Sequence, residues 1–106
     1  MLVLFISCRE DQEIQYTGDL VVDAGKVLTV EGVPIEQVEV GLFDISELQQ
    51  PFASPDRALD TRKFLNWKIE FKGINPGNYV VAVIYSGKLK PVQVRIGQTT
   101  TVKLFD

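Results

Sequence analysis

The chain has 106 residues, 45% of them apolar and 24% charged, which is the balance of a single folded domain burying roughly two-thirds of its unfolded surface and excludes global disorder. Its one cysteine excludes an intrachain disulfide and a multi-cysteine zinc site. The absence of histidine excludes Ser-His-Asp and Cys-His catalysis, imidazole-ligated metals and a histidine pH switch. The net charge of −3 is unevenly placed: ten acids stand against two bases from Arg9 to Gln50, and four acids against nine bases from Pro51 to Asp106. Such halves either form a dipolar surface that steers a charged partner or interleave and pair their charges across strands; pairing is the expectation. No Lys/Arg cluster is interleaved with exposed aromatics, so no nucleic-acid partner is expected.

Met1 to Ile6 is an unbroken apolar run, too short to span a membrane and without a basic leading region. It ends at Ser7-Cys8 and gives way at once to Arg9-Glu10-Asp11-Gln12-Glu13. A small residue, a lone cysteine and then polar sequence resembles the end of a bacterial lipoprotein signal, in its relaxed form because Phe5 and Ile6 are bulkier than usual. The acids after Cys8 are similar to the segment behind the lipid cysteine in surface-exported lipoproteins of the Bacteroidetes type. The resemblance implies acylation at Cys8, each buried CH₂ contributing ~0.8 kcal/mol to anchoring. The alternative is an N-terminal strand with a buried free cysteine. On this reading residues 1–8 are a signal remnant, 9–17 a polar tether and 18–106 one domain.

Gly18 to Asp23 is a candidate first strand, and Lys26 to Val30 a second extended segment turned by Glu31-Gly32. From Val33 to Asp44 the pattern alternates, with Val38, Val40 and Leu42 facing a core and Glu39, Gly41 and Phe43 on a largely solvated face. Asp44 to Lys63 is a long connection, with a helical turn expected at Ile45 to Gln50 and another at Ser54-Pro55-Asp56-Arg57, where a capping serine precedes a proline. Asp56 and Asp60 lie there as weak calcium-ligand candidates without the full loop motif, and solvated loop acids are the default. Phe64 to Phe71 alternates again. Leu65, Trp67, Ile69 and Phe71 share one face, so Trp67 reads as core rather than as a sugar-stacking surface.

Asn75-Pro76-Gly77 predicts a type II-like turn. Asn78 to Tyr85 follows as a run apolar on both faces, which marks an interior strand, and Ser86-Gly87 ends it. A further strand should close at Ile96 before Gly97-Gln98. Thr99 to Phe105 is the last, with Val102 and Leu104 facing in.

The Gly73 to Val94 segment and the Gly97-Gln98-Thr99 turn behind it are similar to the C-terminal half of transthyretin-like β-sandwich modules, including carboxypeptidase regulatory domains and B-type repeats of collagen adhesins. Pro76, Gly77, Tyr79, Gly97 and Thr99 occupy the family's turn and strand-leading places; Gly32 to Ile35 followed by Val38 to Val40 looks like its earlier turn and strand. The resemblance implies an all-β, transthyretin-like (prealbumin-like) antiparallel β-sandwich of about seven strands with Greek-key connections over about Gly18 to Leu104. The chain departs from the family where chemistry is concerned. No lysine lies between Gly18 and Asp23 and no asparagine follows Asn78, so an isopeptide crosslink is not supported, and the histidines of the related hydroxyisourate hydrolase are missing.

The leading expectation is therefore a non-catalytic, lipid-anchored module on the outer membrane or cell surface, binding an envelope protein or a surface polymer, with no cofactor. A small adhesin or pilus-assembly component using strand or edge pairing is the alternative. A carboxylate-only enzyme comes third, because the acids are scattered. Phe43 and Phe64 are the apolar residues most clearly out of phase with the core, and they are the candidate contact patch.

Overall fold

The computed structural model describes residues 16–51 and 53–105. The Met1 to Cys8 stretch and the tether behind it up to Gln15 lie outside the described residues. Among the described residues nine strands follow in order: β1 (Gly18–Asp23), β2 (Thr29–Val30), β3 (Val33–Pro34), β4 (Glu39–Asp44), β5 (Asp60–Lys63), β6 (Lys68–Ile74), β7 (Gly77–Val83), β8 (Leu89–Val94) and β9 (Thr99–Lys103). Seven of them form a sandwich, in which a three-stranded sheet ordered β6-β1-β9 packs on a four-stranded sheet ordered β5-β4-β7-β8, while β2 and β3 make a separate hairpin. The fold is thus an all-β sandwich. Its pairings are antiparallel except that β1 and β9 run parallel, with Val22 opposite Val102.

The inner faces follow directly from alternation. Leu20 and Val22 of β1, Ile69 and Phe71 of β6, Val40 and Leu42 of β4 and Val81 and Val83 of β7 all enter one core, each contributing roughly 1.5–3 kcal/mol through burial. The β2–β3 hairpin turns through Glu31 and Gly32, at φ 51° and 83°, the two positive values a type I′ connection needs. The extended stretch expected from Val33 to Asp44 is broken by a 3₁₀ turn at Ile35–Gln37. Ile35 and Val38 flank that break and are both buried, so two apolar anchors set the bend.

The β4–β7 pair is apolar on its outer face as well. Phe43 of β4 and Val80 and Ala82 of β7 form a second cluster with Ala53. The face of β4 expected to be solvated is instead covered by residues 45–51 and 53–59, with Ile45, Ala53 and Ala58 packed against it. That segment starts with a 3₁₀ turn at Ile45–Gln49 and contains another at Pro55–Arg57, where Ser54 caps through its hydroxyl. It is held at three places. The Ala53 N–H donates to Ser86 O at 3.1 Å and the Tyr85 N–H to Ala53 O at 2.6 Å; the Leu59 N–H donates to Leu42 O at 2.7 Å. The Arg57 Nε also meets Glu47 Oε1 at 2.6 Å. Gly41 belongs to this packing, because a Cβ there would lie 2.5 Å from the Phe43 ring.

At the lower turn of β7 the Tyr79 hydroxyl donates to Asn75 O at 2.6 Å, closing the Asn75-Pro76 bend as in a tyrosine corner. Gly77 is already the first residue of β7, at φ 155°, so the connection is a bend into an extended strand rather than the type II-like turn expected. Likewise β8 ends at Val94, and Ile96 is exposed in the loop before β9. Opposite-charge residues do face each other across the strands: Glu39 opposite Lys63, and Asp23 between Lys68 and Lys103.

Asp44 starts the covering segment and caps its first 3₁₀ turn. Its carboxylate accepts from the Ser46 hydroxyl at 2.7 Å and from the Ser46 N–H at 3.0 Å, and these bonds, the hydroxyl's first, hold its pKa below the ordinary aspartate value. A lowered native pKa means that the stabilisation is complete above the unfolded-state value and is lost as pH falls through the native one. NMR titration should show Asp44 protonating below the ordinary aspartate value, and Ser46→Ala should move it back up toward that value.

Candidate functional site

The two aromatic side chains expected to form a contact patch do not form one. Phe43 is 1% exposed and Phe64 is 3% exposed, and they lie in different clusters. Phe43 is out of phase with the main core because β4 has a second buried face. Phe64 follows β5 at the point where the chain leaves one sheet for the other; it packs beside Phe105, ring centroids 6.1 Å apart. Cys8 lies outside the described residues.

What the sheet crossing does to the next residues changes the surface. Leu65 and Lys68 exchange both backbone hydrogen bonds, at 2.9 and 3.1 Å, and the two residues between them, Asn66 and Trp67, have φ of 54° and 64°. This is a two-residue type I′ turn. It cuts the alternation expected from Phe64 to Phe71: Ile69 and Phe71 are core, whereas Leu65 is 76% exposed and Trp67 37% exposed. Trp67 is therefore not a core residue. A tryptophan in the left-handed region is uncommon and costs roughly 1–2 kcal/mol. Its position is secured by the indole N–H donating to Val27 O at 2.8 Å and by the Ala24 N–H donating to Trp67 O at 2.8 Å.

The turn sits at one end of the side of the sandwich where β5 and β6 are both edge strands. At the opposite side β8 and β9 meet closely. The Thr100 hydroxyl donates to Gln93 O at 3.0 Å, and a Cβ on Gly18 would lie 2.2 Å from Arg95 O. The β5/β6 side has a groove open to solvent. It is lined by Arg62 and Lys63, by Leu65 and Asn66 of the turn, and by Lys68, Ile69, Glu70 and Lys72. Arg62 lies across from Val40 in register and so points to the inner side of its sheet, its guanidinium 5.9 Å from the centre of the Phe71 ring. Its Nε also meets Asp60 Oδ2 at 3.1 Å, and Lys72 meets Glu70 at 3.6 Å. Among the described residues Lys63 and Lys68 have no ion-pair partner. These cations, one amide and an exposed leucine can hold an anionic or hydroxyl-rich ligand without covalent chemistry.

The hydroxyls nearest to being nucleophiles are engaged in turns: Ser46 with Asp44, Ser54 with the Asp56 N–H and Ser86 with the Lys88 N–H. Asp60 accepts from the Thr61 N–H and from Arg62. No group of three or more acidic, cysteine or histidine side chains converges among the described residues, and no helix there is long and apolar enough to cross a membrane. A second, smaller concavity of about 320 Å³ lies at the β2–β3 hairpin, lined by Val30, Val33, Glu31, Glu39 and the exposed Tyr85. Sequence reading missed the groove. The signal available was the basic excess after Pro51, together with Asn66 as a turn residue.

No protein-family model matches the chain, and no curated protein does. Among solved structures it is similar to GBS52, the minor pilin of the gram-positive pathogen Streptococcus agalactiae, with a TM-score of 0.52 and 21% identity over 85% of this chain and 44% of that one. This chain thus spans less than half the length of the pilin. A candidate carbohydrate-binding protein from Pseudomonas aeruginosa gives a TM-score of 0.47 and 16% identity, over 92% of this chain and 94% of the other. At these identities the likeness to the pilin is one of fold, and it agrees with the sandwich described above.

The placement of neighbouring residues 64 and 65 gives opposite expectations. Phe64→Ala should destabilise the domain by about 3–5 kcal/mol, whereas Leu65→Ser should change stability by less than about 0.5 kcal/mol; urea unfolding of both variants checks this.

Proposed function

We propose that the chain is a non-catalytic, lipid-anchored β-sandwich module of the bacterial cell envelope, of the transthyretin-like kind, that works by binding. The observation that carries the binding part is the β5/β6 side, where a rigid sandwich presents an open cationic groove beside a turn with two exposed apolar residues. The anchoring part rests on the Ser7-Cys8 boundary and the acidic residues that follow it. In this reading the acyl chains at Cys8 hold the domain at the outer membrane or cell surface, and residues 9–17 set its distance from the bilayer. The partner is an envelope protein or a surface polymer.

A second reading has one specific observation in its favour. β5 and β6 are both edge strands on the open side, and an extended partner strand can add to such an edge through main-chain hydrogen bonds. That would make the chain an adhesin or pilus-assembly component, in keeping with its fold likeness to a minor pilin. The lysines on β6 count against it, since charged side chains on an edge strand are a means of discouraging strand addition.

Intact mass spectrometry of the protein from the membrane fraction of its native host should give a diacyl or triacyl mass for a chain beginning at Cys8, and Cys8→Ala should abolish it. A soluble, unmodified chain that retains Met1 would contradict the anchoring part.

A further inference from the structure

We propose that the β5/β6 groove is the binding site for a carboxylate-bearing polysaccharide, with Lys68 and Lys72 receiving successive carboxylates. The inference rests on the reading of the chain as a binding module. It begins with strand periodicity. Ile69 and Phe71 point into the core, so Lys68, Glu70 and Lys72 stand out together from the opposite face of β6, and Lys68 and Lys72 are about 13 Å apart along the strand. A ligand that meets both is extended and carries its negative charges at intervals. Lys63 and Arg62 line the same groove from β5, so its lining holds four cations against one acid, Glu70; Asp60 lies beside Arg62, and Asp23 and Glu39 stand across from Lys68 and Lys63 on the neighbouring strands. The Asp23 carboxylate is in addition committed to the Gly25 N–H, at 2.7 Å.

Glu70 decides the class of anion. It lies between the two lysines, where a densely charged polymer such as polyphosphate would set its own charge against the carboxylate. A sugar acid presents hydroxyl donors there instead, which Glu70 accepts while the Asn66 amide bonds the ring or linking oxygens. Leu65, three-quarters exposed at the groove's end, gives an apolar surface for the C–H face of a sugar ring. A nucleic acid would call for aromatic residues spaced along the groove for base stacking, and its lining contains none among the described residues.

Trp67 is the chain's only tryptophan, and it lies between the groove residues Asn66 and Lys68, so its emission reports on the site. The full chain should be titrated with galacturonate and mannuronate oligomers, with methyl-esterified galacturonate oligomers of the same length, and with inorganic polyphosphate, by fluorescence and by calorimetry. The proposal expects saturable binding of at least one uronate oligomer with a change in Trp67 emission. Lys68→Gln and Lys72→Gln should each weaken it roughly tenfold, and esterification should weaken it by more. Glu70→Gln should weaken uronate binding while strengthening any binding of polyphosphate.

Failure of both uronate oligomers to bind would overturn the proposal, as would polyphosphate binding as tightly as uronate with the same dependence on the two lysines. Acylation at Cys8 without uronate binding would remove the groove assignment alone. Uronate binding by a chain left unmodified in its native host would remove the anchoring alone.

Discussion

The double-sided burial of the β4–β7 pair is the constraint on which the remaining architecture depends. Both strands carry apolar residues at successive positions, so one sheet face cannot satisfy them. Val40, Leu42, Val81 and Val83 are covered by the three-stranded sheet, which is ordinary sandwich packing. Phe43, Val80 and Ala82 then need a second cover, and residues 45–51 and 53–59 supply it through Ala53 and the hydrogen bonds that hold that segment down. The long connection is therefore a structural layer, although it lacks regular secondary structure beyond its 3₁₀ turns.

With the outer face of the four-stranded sheet occupied, the free surface of the sandwich is restricted. The β8/β9 side is closed by close backbone approach at Gly18 and by the Thr100 hydroxyl. The β5/β6 side is where the chain crosses between sheets, and the crossing requires a tight turn that exposes Leu65 and Trp67 while sending Phe64 inward. One local event thus determines which aromatic residue is core, which is surface, and where the groove ends.

Much of this was legible in the sequence because strand periodicity and turn chemistry act locally. β1 occupies the span expected for it, β7 is interior as its two apolar faces imply, and the Glu31-Gly32 and Ser54-Pro55 signals mark real turns. The sandwich class came from the resemblance carried by the Gly73 to Val94 segment and the turn behind it. The candidate site was not legible. Phe43 stands out of phase because a distant segment covers it, and a period-2 pattern carries no information about such a cover. Trp67 looks in phase with Ile69 and Phe71, but the type I′ turn at Asn66-Trp67 breaks the phase, and tryptophan is not a residue that signals positive φ. The groove joins side chains from two strands of different sheets, a juxtaposition that exists only once the topology is known.

The claim that the connection at residues 45–51 and 53–59 is a packed layer, leaving the β5/β6 side as the binding surface, is tested most directly by native-state amide hydrogen exchange. The account predicts that the amides of Ala53, Leu59 and Tyr85, whose bonds tie the covering segment to the sheet, exchange nearly as slowly as those of the β4–β7 ladder, because they open only with the sheet. If those three amides exchange at the rate of exposed loop positions while the ladder stays protected, the outer face of the sheet is open. The binding surface would then have to be sought there instead.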